Sequence, residues 1–436
     1  MQQIYKNYDG SFEETFVELN KTVYLDTNYR TTPKIVEILN ALYNDDSFHQ
    51  KPYKNNSDSS MDFKPRVVFT NDMNKTLSAF VSEYQDALVL YLSNKERFYG
   101  IGAGNLYDTF SKMEKYKYGR KYTAVDILTK EELREQDILL KLLFLLGEIS
   151  KSYDEERYGD TFRVIRKNPK IFNVKDYLVK KHSDKAEIKA YLDEITCKYK
   201  KKDTKIGELV EECRRIDFIS EEYYEAITGE ADYEGVLEVN VEEVRNLTGY
   251  LLNPKISTQH GVKGESHDTV VFIAENSNSV PVVHMSRFFE IWSKIDVSLF
   301  EFDAFYYGYL NLLKSIEVNC GIKTTELNKE AYEQHGSKIM ELVEGYVEVN
   351  ENNQYYIQIL QDLVNKYFAK PNCTNAKACL KENLIYGPLS AYRLFYVGCS
   401  RARKNLEIII RNEDVVSFKN GLSNKFKVCG FDVVEE

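Results

Sequence analysis

Thr269-Val270-Val271-Phe272-Ile273-Ala274 is apolar without interruption after its first residue and rich in β-branched side chains. A run of that length with no alternation is the pattern of a strand buried on both faces, as in a parallel sheet. Three further stretches read the same way: Arg66-Val67-Val68-Phe69, Ala87-Leu88-Val89-Leu90-Tyr91-Leu92 and Leu406-Glu407-Ile408-Ile409-Ile410. Helical patterns lie between them. Pro33 stands where a first helical turn begins, followed by Ile35, Val36, Ile38 and Leu39, and Tyr356, Leu360, Leu363, Val364 and Tyr367 recur at helical spacing. The fold class expected is α/β with a parallel sheet.

The strands fall into two groups, near 60–95 and 255–275, with one more near 406, whereas 126–250 is helical, charged and poor in strand runs. A sheet domain interrupted by a mostly helical insertion explains that order, with boundaries expected at 1–125, 126–250 and 251–436. Within the last part, 276–388 reads as an extra helical module, dense in aromatics (Phe288, Phe289, Trp292, Phe300, Phe302, Phe305). Those rings are expected either to fill the module's own core or pack on the sheet, or else to form a docking surface for a protein partner or duplex DNA.

Composition narrows the class. Of 436 residues, 43% are hydrophobic and 29% charged, ordinary values for a globular chain, while 21 glycines and 8 prolines are few enough to exclude linker-dominated architecture. The net charge of −10 excludes a uniformly basic nucleic-acid coat but not a local basic groove. Lys198 to Lys205 is the one basic run, and a solvated helix end is its ordinary reading. Seven cysteines with no CxxC spacing suggest neither a disulfide framework nor a zinc ribbon, so no metal ligands are expected and a reducing cytoplasm is the simple location. No stretch approaches the ~20 apolar residues of a membrane span; Ile138 to Leu146 reads as a buried helix. Gly100-Ile101-Gly102-Ala103-Gly104 has Asn105 in place of the third glycine of a dinucleotide fingerprint and reads as a turn.

Three constellations carry chemistry. Thr258-Gln259-His260-Gly261-Val262-Lys263-Gly264-Glu265 is small and polar, and a loop so placed can bind a ligand at a sheet edge. Tyr392 to Arg403 ends with Ser400-Arg401-Ala402 just before a strand, where an arginine can reach a phosphate. Asn28-Tyr29-Arg30 places an aromatic beside an arginine at a helix start, a pairing suited to a stacked base and a bound phosphate.

Taken in order, Asn28-Tyr29-Arg30, Thr258-x-His260-x-x-Lys263-Gly264 and Tyr396-Val397-x-x-Ser400-Arg401-Ala402 resemble the NYR, T-x-H-x-x-K-G and Y-V-x-x-T/S-R-A motifs of the UvrD/Rep-like superfamily 1 helicases. Tyr91-Leu92-Ser93-Asn94 is similar to the family's strand-ending Y-R-S-N, and Gln2-Gln3-Ile4-Tyr5 to the end of its G-D-x-x-Q-S-I-Y. The chain departs from the family in reading Lys263-Gly264-Glu265-Ser266 for K-G-L-E and in placing Ser390 and Ala391 where acidic residues are usual. It contains no Gly-Lys dipeptide, hence no P-loop.

The resemblance therefore implies the C-terminal half of a helicase: a second RecA-like domain with its helical insertion, working with an N-terminal RecA-like domain that carries the P-loop and the Mg²⁺ ligands. It implies ATP-driven translocation on single-stranded DNA, 3′ to 5′, with unwinding at duplex junctions, and no hydrolysis by this chain alone. By the same resemblance Arg30 and Arg401 are catalytic, Gln2, Tyr29, Gly264 and Glu265 bind ATP, and Tyr5, Tyr8, Thr258 and His260 serve the DNA path. The alternative is a non-catalytic helicase-like nucleic-acid-binding or adaptor subunit.

Overall fold

The computed structural model describes residues 26–45, 49–117, 119–173, 181–252, 254–258, 265–277 and 282–436. Strands β1 (Thr27–Asn28) and β2 (Lys51–Pro52) form a two-stranded parallel pair. The main sheet is built from β3 (Arg66–Thr70), β4 (Leu88–Tyr91), β5 (Ile256–Thr258), β6 (His267–Ile273), β7 (Ala402–Arg411) and β8 (Asp432–Glu435), in the order β5-β4-β6-β7-β3-β8. The pairs β4/β6, β6/β7, β7/β3 and β3/β8 are all parallel, with Val270 beside Leu406 and Val67 beside Ile408. The unbroken apolar runs are central strands buried on both faces: Val270, Val271, Phe272 and Ile273 are at most 1% exposed. Each such side chain contributes about 1.5–3 kcal/mol on burial.

The chain divides into two compact units, one containing residues up to Ser93 and from Ser257 onward, the other Asn94–Ile256. The all-helical unit thus begins well before the expected 126. The reason is local: the short helices Asn94–Gly100 and Gly104–Lys112 follow β4 directly, and their apolar residues Phe98, Leu106 and Phe110 pack into the helical core rather than on the sheet. No change of composition marks that junction. Between the two helices Gly102 adopts φ +73°, its carbonyl accepts from Asn246 Nδ2 (2.9 Å), and a Cβ there would lie 2.6 Å from that nitrogen. The turn reading of the Gly100–Gly104 stretch fits this.

The segment 276–388 does not carry a core of its own. Helix α1 (Met285–Lys294) turns Phe288, Phe289 and Trp292 inward, where they meet Tyr392, Phe395 and Phe426 at centroid distances of 4.7–5.4 Å for Phe288–Tyr392, Phe289–Phe395 and Trp292–Phe426. These rings share one hydrophobic cluster with Val270, Phe272 and Ile408 of the sheet. Helix α2 (Asn383–Cys399) runs through the expected boundary at 388, with Pro388 inside it, and is buried at every position from Gly387 to Cys399. Phe302, Phe305 and Tyr306 are core as well, whereas Phe300 is 65% exposed. Among the described residues, no helix is long and apolar enough to cross a membrane.

Candidate anion-binding site at the strand starts

Helix α2 delivers Arg401. Its last turn closes at Cys399, Ser400 Oγ donates back to the Val397 carbonyl (2.7 Å), and Arg401 N donates to Gly398 O (3.1 Å), so the chain passes from helix to β7 with Arg401 as the hinge residue. The Arg401 carbonyl accepts from His267 N (2.9 Å), which ties the start of β7 to the start of β6. Arg401 is 2% exposed. Its Nη1 donates to the backbone carbonyl of Glu265 (3.2 Å), while its Nε is buried with no partner. Among the described residues, no carboxylate forms a salt bridge with it. Burial, then the like charge of Arg30, holds its pKa below the ordinary arginine value, and Glu265 acts in the opposite sense.

Arg30 and Tyr29 come from a turn that the sequence builds locally. Asn28 Oδ1 accepts from Arg30 N (2.9 Å) and Thr31 N (3.2 Å), an Asx turn that leads into helix Pro33–Tyr43. Thr32 N donates to the Arg403 carbonyl (2.9 Å), which brings the turn to the start of β7. The helix lacks a side-chain cap from Thr32; Asp58 Oδ1 takes the Lys34 N–H instead (2.9 Å). Arg30 is exposed, and Tyr29 is 69% exposed, with its ring 4.7 Å from that of Tyr53 at 38°. Tyr29 is therefore not core: one flank rests on Tyr53 and the rest of the ring is open.

The structure brings together Tyr29, Arg30, Glu265 and Arg401. Glu265 is exposed and its carboxylate lies 3.2 Å from His267 Nε2. Thr258 is buried at the end of the edge strand β5, with β4 between it and β6. Gln2, Tyr5, Tyr8, His260 and Gly264, with Lys263, lie outside the described residues. Open α/β sheets commonly bind ligands at the carboxyl ends of their strands, yet Glu265 and Arg401 sit at the amino ends of β6 and β7. The parallel register pairs His267 with Ala402, which brings the residues preceding β6 and β7 to the same end of the sheet.

Sequence reasoning missed the residues that hold this cluster: Gln50, which bridges Asn28 and Tyr396, and Tyr53, which backs Tyr29. Their only sequence signal is position, in a polar stretch between helix and strand. The departure at Ser390 and Ala391 has a physical counterpart, since both are fully buried, where an acidic side chain would need a partner. The basic run near 200 is a helix end in which Lys200 pairs with Asp154 and Lys198 lies 4.0 Å from Glu208. Two open grooves of the sheet unit, about 670 Å³ beside Phe300 and Tyr355 and about 510 Å³ beside His284 and Arg287, are lined by none of the motif residues. Among the described residues, no group of three His, Cys, Asp or Glu side chains is placed to hold a metal ion.

A buried, incompletely bonded guanidinium beside an exposed one is an arrangement that an anion with several oxygens would complete. No protein-family model matches the chain, and no curated protein matches it.

Proposed function

We propose that the chain is the C-terminal motor half of an ATP-dependent DNA helicase of the UvrD-like type, a RecA-like sheet domain carrying a helical insertion. The observation that supports this reading most is the Arg401 guanidinium: buried, with an unpartnered Nε, repelled by Arg30 and, among the described residues, hydrogen-bonded through Nη1 to a backbone carbonyl. Desolvation of an arginine in that state is unfavourable unless a transient negative charge compensates it.

In this reading Tyr29 offers its open ring to the adenine, Arg30 and Arg401 hold the phosphate oxygens, and Glu265 reaches the ribose. Gln2 and Gly264 belong to the same nucleotide site by resemblance. ATP supplies the phosphoanhydride bond whose cleavage drives the motor, and its Mg²⁺ is held by the N-terminal RecA-like domain that also carries the P-loop. The role of Arg401 is to meet the negative charge that grows on the phosphate oxygens, and its burial strengthens that interaction. Arg30, in water, steers and orients. Tyr5 and Tyr8 stack on bases of single-stranded DNA, and Thr258 and His260 link the nucleotide site to the DNA path.

Calorimetric titration of the chain with sodium tripolyphosphate and with ATPγS tests the site. Arg401→Ala should weaken both ligands by at least about tenfold, the loss of a charged hydrogen-bonding partner. Tyr29→Ala should weaken ATPγS alone. Tripolyphosphate affinity unchanged in Arg401→Ala would overturn the assignment.

A further inference from the structure

We infer that Gln50 is a positioning residue of the anion site: a single side-chain amide that fixes the Tyr29–Arg30 turn against the helix bearing Arg401. This inference rests on the nucleotide-site reading above. Gln50 Oε1 accepts from Asn28 Nδ2 (2.8 Å), and Gln50 Nε2 donates to the Tyr396 hydroxyl (2.8 Å). Tyr396 lies in the last turns of α2 and its carbonyl accepts from Ser400 N (3.0 Å), directly before Arg401. Gln50 therefore ties the Asn28 turn, 22 positions before it, to Tyr396, 346 positions after it.

The direction of each bond is dictated by the one before it. Asn28 Oδ1 is committed to the N–H groups of Arg30 and Thr31, so the Asn28 amide can present only its NH₂ to Gln50. Gln50 must answer with its oxygen, which leaves its NH₂ for Tyr396. The dipoles run head to tail from the Arg30 backbone to Tyr396, an arrangement in which each bond strengthens the next. Gln50 is itself clamped: its N–H donates to Asn40 Oδ1 (2.8 Å) and its carbonyl accepts from Asn40 Nδ2 (2.9 Å). The flanking residues fasten the same strap, with Lys51–Pro52 paired to Thr27–Asn28, Tyr53 against Tyr29 and Asn56 Nδ2 on the Thr31 carbonyl (2.8 Å).

Such a strap has a purpose that fold stability does not require. Arg30 and Arg401 repel each other, and an exposed turn bearing a cation would swing outward unless held. The amide chain holds it, so the two guanidinium groups are already in place when an anion arrives and less ordering is needed on binding.

The experiment is calorimetric titration of the full chain with sodium tripolyphosphate, alongside thermal melting of each variant. Gln50→Ala should bind about tenfold more weakly, equivalent to about 1.4 kcal/mol. Gln50→Glu should bind close to wild type, because one carboxylate oxygen accepts from Asn28 and the other from the Tyr396 hydroxyl acting as donor. Gln50→Ala combined with Tyr396→Phe should bind no more weakly than Gln50→Ala alone, as expected of two partners in one chain of bonds. Should Gln50→Ala fail to fold, Tyr396→Phe carries the test and must itself weaken binding. Wild-type affinity in Gln50→Ala, or in Tyr396→Phe if that variant carries the test, overturns the positioning role alone. Wild-type chain that does not bind tripolyphosphate, or binding that survives Arg401→Ala, overturns the anion site and this inference with it.

Discussion

The sheet unit and the helical unit are each built around a closed hydrophobic cluster, yet they treat charge differently. The helical unit keeps its ion pairs in water, many at helical spacing, as in Lys130–Asp126 (2.7 Å) and Arg157–Asp160 (2.6 Å). Its buried carboxylate, Asp137, has structural employment: it caps helix Ile138–Asp154 through Leu140 N and accepts from Tyr116 OH. Arg97 is the exception, 7% exposed with Nε and Nη2 unpartnered, its guanidinium carbon 5.9 Å from the Tyr250 ring. The sheet unit buries Arg401 just before β7, Arg393 inside α2 and Glu407 inside β7. Arg393 is paired with Asp303 (2.5 Å) and Glu407 with Arg66, so two of the three are explained by partners inside the fold. Arg401 is not, which sets it apart within the sheet unit, with Arg97 as its counterpart in the helical unit. A buried charge that structure does not need is a candidate for function.

Three measurements break or sharpen the comparison. The largest effect concerns the cores. Phe272 in the sheet and Phe218 in the helical unit are both fully buried, and truncation of either to alanine should cost about 3–5 kcal/mol. Scanning calorimetry should resolve two transitions, Phe272→Ala lowering one and Phe218→Ala the other. One shared transition lowered by both variants would show the units to be a single cooperative block.

A smaller effect concerns the buried pair. Arg66→Ala leaves Glu407 buried without its cation and should cost about 2–4 kcal/mol at neutral pH, less than the full cost because Arg66 keeps part of its surface in water. The pH dependence has a definite sign. Burial raises the Glu407 pKa above its ordinary 4.5 and Arg66 opposes the rise. A carboxyl whose pKa is higher folded than unfolded contributes stability below its unfolded pKa and loses it as pH rises through the folded value. Arg66→Ala raises that value further, so its cost in urea unfolding should grow from pH 4 to pH 7. A cost that does not vary with pH would mean that Glu407 ionises in neither protein over that range.

The smallest effect tests the solvated side of the contrast. Lys200→Ala removes the surface pair with Asp154, both partners nearly half exposed, and should change stability by about 0–1 kcal/mol, vanishing in high salt. A loss of several kcal/mol would mean that the helical unit depends on its surface charges after all.

Much of this was readable in advance, and the reason differs from element to element. The run Val270 to Ala274 could be read as a buried strand because burial on both faces leaves no polar position in it. Pro33 could be read as a helix start because its missing N–H is harmless there. Tyr29, Arg30 and Arg401 could be nominated because their residue types are chemically demanding in any setting. The beginning of the helical unit at Asn94 could not be read, since Phe98 and Leu106 would serve either core equally well. For 276–388 the sequence left two packings open, since its aromatics satisfy the same pattern whether they pack on one another or on the sheet, and the structure has them on the sheet.

The sequence by itself determined the central strands β3, β4, β6 and β7 and nominated the side chains suited to chemistry, because hydrophobic period, proline and residue type act over a few neighbouring positions. Only the tertiary structure decided that Arg401 is buried without a counter-ion among the described residues, that Arg30 is close enough to repel it, and that Gln50 joins Asn28 to Tyr396, which lies 346 positions beyond Gln50. Those facts depend on the parallel register of β6 and β7 and on the packing of α2 beneath them. Register and packing come from the free energy of the whole core, which no local stretch of sequence contains.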